Sequence, residues 1–102
     1  SIHSDSAPNR QVQGFTLYVA GAASASARRA AGCLNRTLAA TGSEGHGIRE
    51  ADYKVLVQTN CPAILIELGY LSNPQDTLRL KDPTHQNRLA QAIADGILTY
   101  LQ

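Results

Sequence analysis

Glu67 sits in an aliphatic run, Ile64-Leu65-Ile66-Glu67-Leu68, closed by Gly69. A carboxylate in such surroundings is costly unless it is paired, hydrogen-bonded or bound to a metal. Burial would raise its pKa and suit it to general acid–base work. The plain alternative is a buried glutamate paired with Arg49, Lys54 or a helix N-terminus. His3 follows the apolar Ile2 and precedes Ser4 and Asp5, which reads as the tail of a strand. A neutral imidazole there could ligate Zn²⁺, its other nitrogen held by an acceptor. The alternative for His3 is a surface or capping residue near a chain end, where fraying is common.

The remaining polar groups rank lower. His46 lies in GSEGHG beside Glu44 and Glu50, a grouping that matches no ligand spacing. His85 reads as a solvated residue in the first turn of a helix. Asp76, Asp82 and Asp95 read as helix-surface or capping carboxylates. Gln58, Thr59 and Asn60 follow an expected strand and could meet a substrate or simply bond loop backbone. No Ser–His–Asp or Cys–His signature is present, and the glycines form neither a P-loop nor a dinucleotide fingerprint.

These groups need a scaffold, and the length of 102 residues supplies one domain's worth. The hydrophobic fraction of 43% excludes a disordered chain, and one Phe and no Trp imply an aliphatic core. A net charge of +1 leaves no electrostatic footprint for nucleic acid, and no apolar run is long enough for membrane insertion. Cys33 and Cys61 have no metal-binding spacing and read as buried small hydrophobes, with a disulfide possible only in an exported protein.

Positions 1–10 read as an opening loop after the strand tail. Residues 14–19 (GFTLYV) alternate in the period of a strand. Residues 22–40 place Ala23, Ala27, Ala31, Leu34 and Leu38 on one helical face, with Ser24 or Ser26 as a cap, Gly32 as a point of close packing and Gly42 as a terminator. Residues 42–50 read as a loop and 53–59 (YKVLVQT) as a strand. Residues 63–68 suit a strand buried on both faces. Asn73-Pro74 and Asp82-Pro83 each pair an N-cap with a first-turn proline. They open a short helix to Leu80 and a long one lined by Leu89, Ile93 and Ile97, with Ala90, Ala94 and Leu101 alongside. The expectation is an α/β three-layer sandwich, a mostly parallel or mixed sheet flanked by helices, forming part of a larger domain.

Several segments together resemble one family. Residues 1–7 (SIHSDSA) are similar to the SIH-[AS]-[ND]-A stretch of zinc-dependent N-acetylmuramoyl-L-alanine amidases. Residues 14–19 resemble that family's GFTLYV or GFEVYY strand, and 47–49 with 53–57 resemble its RGIK…FYVL region. Residues 62–74 (PAILIELGYLSNP) are similar to PAVLVELGFLSNP, and 89–100 resemble the closing helix. The resemblance spans the chain, in order, and implies the C-terminal portion of an amidase catalytic domain. It implies that His3 is a zinc ligand and Glu67 the catalytic carboxylate. Asp5 and Gln58 are then candidates for substrate contact.

The family binds zinc through two histidines and a glutamate. The first histidine, in a DPGHGG-like motif, and the glutamate both precede the SIH stretch and are absent from this sequence. The resemblance therefore implies an upstream segment that supplies a His and a Glu. The implied reaction is hydrolysis of the amide between N-acetylmuramic acid and the L-alanine of the stem peptide, with Zn²⁺ as cofactor and peptidoglycan or muropeptides as substrate. The implied location is extracytoplasmic: periplasm, cell wall or secreted. The alternative function is a non-catalytic peptidoglycan-binding or regulatory fragment without a complete zinc site.

Overall fold

A computed structural model describes residues 1–102. Its centre is strand β4 (Leu65–Tyr70), flanked by β1 (Ile2–Asp5) and β2 (Phe15–Val19), with β3 (Gly45–Glu50) beyond β2. The order is β1-β4-β2-β3. β1 runs parallel to β4, β2 runs antiparallel to β4, and β3 runs parallel to β2. The sheet is thus mixed, as expected, and flanked by helices.

One face packs on helices. Phe15, Leu17 and Ile66 meet Leu34 and Leu38 of α1 (Ala25–Ala39) and Leu89 and Ala92 of α4 (Pro83–Leu101). α3 (Pro74–Lys81) adds Leu80 at the edge of that cluster. The capping devices act as the sequence implies. Ser24 Oγ accepts from Ala27 N, Asn73 Oδ1 from Asp76 N and Asp82 Oδ1 from Thr84 N. Each satisfies an N–H that the first turn leaves free.

The helix contact differs in detail from the sequence reading. Ala90 and Ala94 are exposed, while His85, Leu89, Ala92 and Gly96 form the buried stripe of α4. α1 approaches most closely at Gly96, where a Cβ would lie 2.8 Å from Leu34 Cδ2. Gly32 does not serve as the point of close packing; a Cβ there would find only Arg36 Nη1 at 3.9 Å.

Two other segments depart from expectation. Residues 45–50, read as part of a loop, form β3. Gly45 is required because the Phe15 ring lies across it, at 2.7 Å from a would-be Cβ. Between the Phe15↔Gly45 and Leu17↔Ile48 pairs one extra residue is absorbed, with Gly47 at φ +81°. A glycine-rich string here marks a bulged strand rather than a loop. Residues 53–59, read as a strand, instead form a single helical turn, α2 (Lys54–Val57). Only Leu56 is buried, against Ala20 and Leu65, while Val55 and Val57 face solvent. Without a neighbouring strand to pair with, β-favouring side chains do not make a strand.

Candidate active site

The second face of the sheet carries the polar groups, and register decides which. His3 pairs with Glu67 across β1 and β4, and Thr16 pairs with Glu67 across β2 and β4. Residues directly opposite share a face, so His3, Glu67 and Thr16 form a row. A row lower, Tyr18 lies opposite both Leu65 and Arg49. α2 covers part of this face through Leu56, and Tyr53 at its start packs on Tyr18. Thr16, Leu65, Glu67 and Tyr70 are buried, whereas His3 and Arg49 are exposed.

A bulge brings one more group onto this face. β1 advances from His3 to Asp5 while β4 advances from Glu67 to Tyr70. The extra residue on β4 turns Tyr70 onto the face of Glu67, where its hydroxyl lies 3.1 Å from Thr16 Oγ1. Asp76 fixes this bulge. Its Oδ2 accepts from Tyr70 N at 2.8 Å and Gly14 N at 3.0 Å, and its Oδ1 accepts from Arg79 at 2.7 Å. Asp76 is buried, which corrects its reading as a surface or capping carboxylate. Its sequence signal, the third residue after an N-cap, is shared by many exposed first-turn acids.

Glu67 is 8% exposed, and its Oε2 is buried without a hydrogen-bond partner. The pairing with Arg49, Lys54 or a helix N-terminus does not occur; the two salt bridges are Arg28–Glu50 and Arg79–Asp76. Burial pushes the Glu67 carboxyl above its ordinary value, the Asp5 carboxylate pushes it further, and His3 opposes the rise. A buried carboxylate oxygen left unpartnered is expensive. An exposed imidazole one strand away is the kind of neighbour that a bound cation would join to it.

His3 is exposed, and its Nε2 shares a hydrogen bond with Ser1 Oγ. Asp5, half-buried at the end of β1, lies near enough to act on Glu67. Gln58 is exposed at the C-cap of α2, so Gln58, Thr59 and Asn60 follow a helical turn rather than a strand. His46 stands in β3 with its ring edge-on to Tyr70 at 6.1 Å, and its Nε2 meets the Gln13 carbonyl at 2.5 Å. His85 is buried rather than solvated, because α4 presents it toward the helix layer; burial and the nearby Arg79 and Arg88 push its pKa down. Cys33 is buried, but Cys61 is exposed in the turn after α2, and both are free thiols.

No set of three or more His, Cys, Asp or Glu side chains is arranged to hold a metal ion. The donors on this face nonetheless suit a share of such a site: one imidazole, and beside it a carboxylate with a free oxygen. A zinc centre takes three protein ligands and keeps a fourth position open. This chain offers one imidazole toward that number.

The fold and face define a class: a mixed α/β sheet flanked by helices on which a buried carboxylate stands opposite an exposed histidine. The sequence profile of the N-acetylmuramoyl-L-alanine amidase family matches residues 1–99, and the chain belongs to that family. It is 40% identical over 101 residues to the probable cell wall amidase LytH of Staphylococcus aureus, covering 98% of this chain and 34% of that protein. Its fold is similar to the catalytic domain of CwlV from Bacillus (Paenibacillus) polymyxa, with TM-score 0.89, 37% identity, and coverage of 99% of this chain and 55% of that one. It is also similar to an N-acetylmuramoyl-L-alanine amidase from Clostridium difficile 630, with TM-score 0.94, 30% identity, and coverage of 99% and 55%. The chain thus spans about a third of the curated relative's length and a little over half of the solved chains.

Proposed function

We propose that this chain is the C-terminal portion of the catalytic domain of a peptidoglycan hydrolase, acting outside the cytoplasm, that cleaves the amide between N-acetylmuramic acid and the L-alanine of the stem peptide. The observation that carries the reading is Glu67: buried, unpartnered at Oε2, and set opposite the exposed His3 across β1 and β4. His3 is one ligand of a Zn²⁺ ion, and Asp5 and Gln58 contact substrate. When bound, zinc lowers the pKa of water toward ~7 and polarises the amide carbonyl.

Glu67 then does the proton work. Its carboxylate accepts a proton from the attacking water and delivers it to the departing amine of L-alanine. Burial and the Asp5 charge raise its affinity for that proton, which brings the acid and base forms closer in energy near neutral pH. The bulge held by Asp76 keeps Tyr70 and Thr16 bonded to each other on one side of Glu67, which leaves Oε2 uncommitted.

The other two ligands, a His and a Glu, come from an upstream segment that lies along β1. Two features support that position. β1 is an edge strand whose outer backbone groups have no partner in the sheet. Beside it runs an apolar groove of about 330 Å³ lined by Ile2, Ile64, Ile97, Tyr100 and Leu101. Ile2 is 59% exposed and Leu101 69%.

The test is Glu67→Gln in the full-length protein. Hydrolysis of a muropeptide amide should fall by at least ~10³-fold, in line with loss of both the base and the acid, while zinc content measured by atomic spectrometry stays at the wild-type level. His3→Ala should lose the zinc. Full activity in Glu67→Gln removes Glu67 from the mechanism. A wild-type protein that neither binds zinc in equilibrium dialysis nor cleaves would favour the non-catalytic peptidoglycan-binding reading.

A further inference from the structure

Arg49 is a cation without an acidic partner on the face that carries Glu67. Its strand neighbour Glu50 points to the opposite face, where Arg28 of α1 holds it at 3.3 Å. Arg79 is likewise satisfied by Asp76. Arg49 instead lies opposite Tyr18, whose ring packs edge-on against Tyr53 at 5.6 Å between centroids. Tyr53 opens α2, so the pair of rings ties α2 to the strand residue that lies opposite Arg49. Burial, Tyr70 and Tyr53 push the Tyr18 phenol up, and the Arg49 charge acts against them. The phenol therefore stays protonated and able to donate beside a guanidinium that has donors to spare.

The sheet sets the distance from the reacting centre. Glu67 and Arg49 are separated by two strand spacings and two residues along the strand, which gives about 12 Å between Cα atoms. An extended peptide advances ~3.5 Å per residue. A substrate amide at Glu67 thus places the second or third residue of its peptide within reach of the long Arg49 side chain. We propose that Arg49, with the Tyr18 hydroxyl, binds a carboxylate of the stem peptide two to three residues from the cleaved bond, and so selects peptides that keep this carboxylate free. The assignment rests on the hydrolytic reading above for the position of the scissile amide.

The test compares N-acetylmuramoyl-tripeptides with free carboxylates against the same peptides carrying a carboxamide at the second or at the third residue. The full-length wild-type protein should favour the free acid at one of these positions by about 10- to 100-fold in KM, the range of one charge-assisted bond, with a much smaller change in kcat. Arg49→Gln should treat acid and carboxamide alike, and Arg49→Lys should regain part of the preference. Undiminished preference in Arg49→Gln overturns the assignment.

A second measurement separates it from the reaction itself. Calorimetric binding of the same peptides to Glu67→Gln protein should show the acid preference, and Arg49→Gln added to that background should erase it. If no peptide is cleaved but this binding pattern holds, the hydrolytic reading fails and the Arg49 site stands. Cleavage without any carboxylate preference gives the reverse. Neither cleavage nor binding overturns both.

Discussion

At the scale of residues, the molecule turns on one carboxylate placed at an energetic disadvantage. Glu67 has its Oε2 buried with no partner, and burial and Asp5 both favour its protonated form. A carboxyl whose pKa is higher in the folded than in the unfolded chain holds its proton more tightly when folded. Its contribution to stability is then greatest at low pH, and is lost as pH rises from the ordinary carboxylate value through the raised one. Glu67→Gln removes that loss. In chelator, the variant should melt above the wild type at pH 7 and together with it below about pH 4, where both side chains are neutral. Coincident melting curves at both pH values would show that Glu67 carries no folding cost. Residue type and spacing single out Glu67 and His3 in the sequence, because a charge in an aliphatic run and a histidine at a strand end are each unusual. Asp76, equally important to the geometry, does not stand out, because the bulge it holds exists only once β1 and β4 pair out of step.

Among the elements, local devices and long-range packing divide the work. The caps at Ser24, Asn73 and Asp82 act through neighbours within a few residues, so composition suffices to find them. The closest approach of α1 and α4 is another matter, since nothing local distinguishes Gly32 from Gly96. The two glycines should respond in opposite directions. Gly32→Ala adds a methyl in open space and should stabilise by up to about 1 kcal/mol through helix propensity. Gly96→Ala puts a Cβ within 2.8 Å of Leu34 and Thr37, and overpacking of about 1–3 kcal/mol outweighs the same propensity gain. Urea unfolding of both variants gives the comparison, and a stabilised Gly96→Ala would mean that the helices can separate freely. Long-range packing also decides residues 45–50 and 53–59. β3 exists because Gly45 passes under Phe15 and pairs with β2, and α2 curls because no strand lies beside it.

Over the whole molecule, the two sides of the sheet have unlike tasks. The helix side holds the aliphatic core, whereas the opposite side carries the polar row, with Glu67 buried and His3 and Arg49 exposed at its margins. β1 and the groove by Ile97 form the border where, in the proposed domain, the upstream segment docks. Ile97 is 46% exposed, so Ile97→Lys should change the unfolding free energy of this chain alone by no more than about 0.5 kcal/mol. In the full-length protein the same change should weaken zinc retention, because a charge in an apolar seam disfavours docking. Equal zinc content in variant and wild type would place the docking surface elsewhere. No helix is long and apolar enough to cross a membrane.

The sequence by itself determined the mixed α/β character, the helix starts, the buried central strand and the resemblance that points to Glu67 and His3, since all of these depend on residue type and near-neighbour spacing. Tertiary structure alone decided that His3 and Glu67 stand opposite each other, that Tyr70 shares their side of the sheet and that Arg49 is left without a carboxylate. Those outcomes depend on strand order and register, and a shift of one residue in pairing would have sent each side chain to the other face.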